Sequence, residues 1–150
     1  MSSVVGYGLI MHVLLSVVGL IASYAIVMFL LQRTLNLNHL KVASIIGFIS
    51  YFLSSLTGLY FFSAHYLPVL QEAMRGGSYA WAEAFVWVKG GLLTLVTLTM
   101  LFMVFKIVRK QDELTAGSPR HKFLIQFGSY TLAASILMVL AGVIVAGAGK

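Results

Sequence analysis

Two ionisable residues sit in stretches of this chain that otherwise read as hydrocarbon. His12 falls within the apolar run Leu9–Leu31, and Lys89 within Ala84–Phe105. An imidazole offers a nitrogen lone pair to a metal or a proton. A lysine offers an ammonium to an anion or, when neutral, an amine that can serve as ligand or base. Titratable groups in such surroundings are costly and mark functional sites. His65 directly follows a third apolar run, Val42–Ala64, with Glu72 and Glu83 beyond it. Plainer roles exist for each residue. His12 could be a neutral ring bonded to a serine, a tyrosine or a carbonyl between helices. Lys89 could carry its ammonium along its stem to the nearer headgroups. Glu83 stands six positions before Lys89, a poor spacing for a helical ion pair.

The elements that must hold these groups are long helices. The runs Leu9–Leu31, Val42–Ala64, Ala84–Phe105 and Phe123–Ala148 carry most of the 150 residues. At about 1.5 Å of rise per residue, each can cross a hydrocarbon layer of roughly 30 Å. Hydrophobic residues make up 60% of the chain and charged residues 9%. This implies an all-α, polytopic membrane protein: one domain over residues 1–150, built as an antiparallel four-helix bundle. The first run lacks the basic segment of a cleaved signal peptide and is long enough to stay in the bilayer.

Cysteine is absent, which excludes disulfides, thiolate metal ligands, iron–sulfur clusters and haem attached through Cys-x-x-Cys-His. Non-covalent haem is left open. The net charge of +6 does not point to nucleic acid, because the basic residues flank the spans. Arg33 and Lys41 stand in one connection without an acid. Lys106, Arg109, Lys110, Arg120 and Lys122 stand in another, against Asp112 and Glu113. The middle connection has Arg75 against Glu72 and Glu83. This asymmetry places both basic loops in the cytoplasm and both termini outside; the expected setting is the cytoplasmic membrane of a bacterium or archaeon. His39 and His121, beside basic residues, read as solvated or headgroup-facing.

Small and polar residues recur at helical spacing within the spans. Gly8, His12, Ser16, Gly19 and Ser23 trace one face of the first. Ser44, Gly47, Tyr51, Ser54 or Ser55, and Gly58 trace one face of the second. Such stripes belong against other helices, where backbones approach closely and hydroxyls bond across the interface. Gly90-Gly91 in the third span reads as a close contact or a kink. With the termini outside, His12 lies about 6–9 Å deep and Lys89 about 9 Å deep, so with His65 they share the outer third of the bundle.

Haem suits this donor set better than zinc. A haem needs one or two axial donors and an apolar slot. Zinc would need a third ligand from the outer loop. No acidic residue lies within the four runs, so an ion-translocating relay is a weaker reading. The order of His12 in the first span, Gly58-Leu59 late in the second and Trp87-Val88-Lys89 opening the third resembles the small membrane protoporphyrinogen oxidase family of bacteria. The family's Trp-x-x-Lys is one residue longer than the segment here. The resemblance implies a four-span haem-b protein in which His12 and Lys89 serve haem binding or activity.

The expectation is a membrane haem b protein performing electron transfer or oxidising a protoporphyrinogen-like tetrapyrrole. His12 and His65 are candidate metal ligands, Lys89 a candidate base, and Gly58 and Trp87 candidates to line the cofactor. The alternative is a non-catalytic small subunit packed in a larger membrane complex, touching lipid, quinone or pigment. A homo-oligomer is a third form of association.

Overall fold

The computed structural model describes residues 3–64, 82–109 and 114–148. They form four helices, α1 (Ser3–Leu31), α2 (Leu37–Phe61), α3 (Ala82–Arg109) and α4 (Pro119–Ala148). No strand occurs among the described residues. All four helices are long and apolar enough to cross a membrane. Helices adjacent in sequence pack on one another, and α1 also meets α4, so the bundle closes as a ring. His65 and the rest of 65–81 lie outside the described residues.

The helices run further than the apolar segments alone, mainly at the ends joined by residues 32–36 and 110–118. Asn36 caps α2: its side-chain oxygen accepts from the His39 N–H at 3.1 Å. Helix formation therefore begins ahead of Val42, and polar Asn38, His39 and Lys41 occupy the first turns. At the start of α4, Ser118 does the same for the His121 N–H at 3.1 Å. Gly117, the residue before it, takes a φ of +82°, a left-handed turn that favours glycine.

The core changes character along its axis. Towards the 32–36 and 110–118 connections it is mostly apolar: Leu30, Leu40, Met103, Ile107 and Leu124 are fully buried and Leu114 packs onto them, with Ser44 and His121 buried among them. From mid-span towards the other end polar groups join it: Ser23, Ser50, Thr131 and Ser135 are buried near the middle, and His12, Ser16 and Ser54 are buried as well, alongside Met138 and Ala141. Several of these hydroxyls return a hydrogen bond to the carbonyl four residues earlier, as Ser16, Ser23, Thr131 and Ser135 do. This lets a helix bury serine and threonine without water.

Between the two halves, Tyr51 is wholly buried and ties three helices together. Its hydroxyl donates to Ser135 Oγ at 2.8 Å and lies 3.2 Å from Ser23 Oγ. Gly19 makes room for its ring, since a Cβ there would stand 2.7 Å from it.

His121 departs from the sequence expectation. It is buried rather than solvated. Its Nδ1 accepts from the Gly117 N–H at 3.0 Å, and its Nε2 donates to the Leu30 carbonyl at 2.7 Å. The Leu30 carbonyl belongs to the last turn of α1, where no intrahelical donor follows. The imidazole thus satisfies the end of α1 from the start of α4. Replacing His121 with Ala strands both backbone groups and should cost about 2 kcal/mol. The check is the unfolding midpoint of the purified protein in detergent, with exposed His39→Ala expected to stay within error of the unchanged protein.

Candidate functional site

The polar end of the bundle is organised around His12. The residue is 5% exposed, and its ring reaches across from α1 to α2. Nδ1 lies 2.9 Å from the Ser54 carbonyl oxygen and 3.0 Å from Ser54 Oγ. A carbonyl can only accept, so the proton sits on Nδ1. Ser16 Oγ donates to the His12 carbonyl at 2.9 Å and lies 2.8 Å from Ser54 Oγ. Hence Ser54 Oγ–H can donate to Ser16 while its lone pairs face the imidazole. These bonds fix both the ring plane and its tautomer.

The uncharged ring then has its lone pair on Nε2. Among the described residues, nothing hydrogen-bonds this atom. A buried nitrogen lone pair without a partner is unusual, since buried polar atoms are nearly always satisfied. His121 shows the contrast: both of its ring nitrogens are bonded to backbone, in the opposite tautomer.

Gly58 explains how the imidazole reaches a helix carbonyl. A Cβ at 58 would stand 2.9 Å from His12 Cε1 and 3.0 Å from Nδ1. The small residue expected to line a cofactor therefore lies directly against the histidine. One turn beyond, α2 widens into a π-helical turn over 62–64, a feature common at functional sites.

Lys89 approaches from α3. Its side chain is partly buried and runs over Gly142 of α4, where a Cβ would lie 3.3 Å from Nζ and 3.4 Å from Cε. The stem thus lies along protein. By the antiparallel order of the helices, Lys89 stands at the same end of the bundle as His12. Among the described residues no carboxylate meets the Lys89 ammonium. Gly142 was not legible as a site residue in the sequence, where it sits in an ordinary Ala-Gly-Val stretch.

The remaining candidates are not drawn in. Trp87 is 57% exposed and meets Phe62 edge-on, with centroids 5.5 Å apart. The pair Gly90-Gly91 is exposed within an unbroken helix, and a Cβ at either would meet nothing within 4 Å among the described residues. It thus makes no close contact among them. His65 cannot be placed relative to His12, since it lies outside the described residues. No group of three His, Cys, Asp or Glu side chains capable of holding a metal ion occurs among the described residues.

Comparison with protein-family profiles, with curated proteins and with solved structures returns no match. The likeness to the protoporphyrinogen oxidase family therefore rests on the residues named for it.

The two glycine types make a direct test of the His12 seat. Gly58→Ala must displace the imidazole or part α1 from α2, and should lower stability by about 1–3 kcal/mol. Gly90→Ala enters open space within a helix and should raise stability by up to about 1 kcal/mol. Opposite shifts in the detergent unfolding midpoints are expected. Equal shifts would mean that Gly58 is not in contact with the ring.

Proposed function

We propose that this chain is a membrane haem b protein, performing electron transfer or oxidising a hydrophobic tetrapyrrole of the protoporphyrinogen kind. One observation carries the reading: a buried imidazole held at Nδ1 by Ser54, with Nε2 left as an unengaged donor. A histidine whose second nitrogen is bonded to a carbonyl is the usual form of an axial ligand. The residues present fit that group. His12 would supply the axial nitrogen, Lys89 would meet a propionate, and the apolar walls would hold the macrocycle. Bound haem b would contribute a one-electron redox centre.

The chain's own work is to present one nitrogen, exclude water and manage charge. Burial of His12 keeps water from Nε2. The Ser16–Ser54 pair resists rotation of the ring. Lys89, partly buried, can counter a carboxylate as ammonium or take a proton from substrate as amine. His65 remains a candidate for the opposite axial position or a propionate contact. The resemblance through His12, Gly58-Leu59, Trp87 and Lys89 points the same way.

Absorption spectra of protein purified from haem-replete cells, oxidised and dithionite-reduced, test this reading. A Soret band is expected, lost or shifted in His12→Ala and weakened in Lys89→Met. Absence of any band in the unchanged protein would remove the haem reading.

We also infer the orientation from Arg33, Lys41 and the five basic residues between 106 and 122. Both termini then face outward, the His12 site opens toward the outer leaflet, and His121 sits at the cytoplasmic surface of a bacterial or archaeal membrane. In intact cells an impermeant thiol reagent should modify Ser2→Cys and spare Ala116→Cys. The reverse pattern would invert the bundle.

A further inference from the structure

The outward surfaces of α2 and α3 are dominated by aliphatic and aromatic side chains such as Ile46, Ile49, Leu53, Leu98 and Leu101, as lipid requires. That of α4 is different. Gln126, Ser129, Tyr130 and Ala133 all face away from the bundle. Tyr130 is 74% exposed. It stands eleven residues from Pro119 and fourteen from Ile144, the bounds of the α4 span. At about 1.5 Å per residue its hydroxyl group lies near mid-span, roughly 16 Å from one end. Among the described residues, none of Gln126, Ser129 or Tyr130 has a hydrogen-bond partner. Elsewhere in the bundle the mid-span hydroxyls of Thr94 and Thr97 both return to their own helix carbonyls. Tyr24 on the adjoining α1 also points outward, 55% exposed and likewise unbonded.

Unsatisfied polar groups facing hydrocarbon are unfavourable, and across membrane helices they become the glue of association. We propose that this face of α4 is the interface of a parallel homodimer. Its residues suit a second copy. Gln126, Tyr130, Ala133, Leu137 and Leu140 recur at steps of four and three, the seam of a left-handed helix pair. Copies inserted in the same direction meet across a two-fold axis along the membrane normal, which sets each residue opposite its own counterpart in depth. The Gln126 amide carries both donors and acceptors, so it satisfies itself across that axis. Tyr130 can donate to Ser129 of the second copy, and Ala133 allows the backbones to approach. The inference is independent of any cofactor.

A chain without cysteine makes the test clean. Ala133→Cys, oxidised in native membranes, should give a disulfide-linked dimer. Leu98→Cys, outward on α3 and also mid-span, should remain monomeric. Adding Gln126→Leu and Tyr130→Phe should weaken dimerisation about twentyfold, the loss expected for at least three interhelical hydrogen bonds, since the two-fold axis repeats the Tyr130–Ser129 contact. The monomer's unfolding midpoint should not fall, because both side chains face outward. Cross-linking at 133 no greater than at 98 would overturn the interface. So would a yield unmoved by the double substitution, or an adduct at 133 with a different polypeptide in place of a second copy.

Discussion

A polar group inside hydrocarbon has no water to satisfy it, so the protein must do so or leave the group for something else to bind. The interior of this bundle follows that constraint closely. Serine and threonine hydroxyls bond back to the preceding turn, Tyr51 spans three helices to reach Ser23 and Ser135, and His121 caps α1 from α4. Against this background the Nε2 of His12, the Nζ of Lys89 and the outward hydroxyl of Tyr130 stand out. The first two belong to the same end of the bundle. The third faces out. The first pair reads as a ligand site and the last as a contact surface because of where each points.

Glycine decides the geometry at each of these places. Gly19 admits the Tyr51 ring, Gly58 admits the His12 imidazole and Gly142 admits the Lys89 stem. In each case a side chain on one helix lies on the bare backbone of another. Shape therefore sets register along the bundle. The hydrogen bonds then fix rotation, because His12 can reach the Ser54 carbonyl only where residue 58 has no Cβ.

Much of this was legible in the sequence. The steps of four, four, three and four from Gly8 to Ser23 marked a protein-facing stripe, and the structure buries His12, Ser16 and Ser23 on it. Ser44, Gly47, Tyr51 and Ser54 did the same for α2. These patterns show because polar residues are rare in an apolar background. Partnerships between distant residues did not show: nothing in the sequence links Gly142 to Lys89 or Ser135 to Tyr51. His121 was misread because its partners are backbone groups, which leave no mark in a sequence, while its neighbours Arg120 and Lys122 are charged. Gly90-Gly91 misled in the opposite sense, since a glycine pair announces space without saying that anything fills it.

The site turns on the proton position of two buried histidines held in opposite tautomers. Nitrogen NMR of the protein labelled with ¹⁵N-histidine and purified free of cofactor reads this directly, with each resonance assigned by its loss in the corresponding His→Gln variant. His12 is expected as the Nδ1–H form with an unbonded Nε2, and His121 as the Nε2–H form. An Nε2–H proton on uncharged His12 would contradict the seat on Ser54 and remove the free donor on which the ligand site depends.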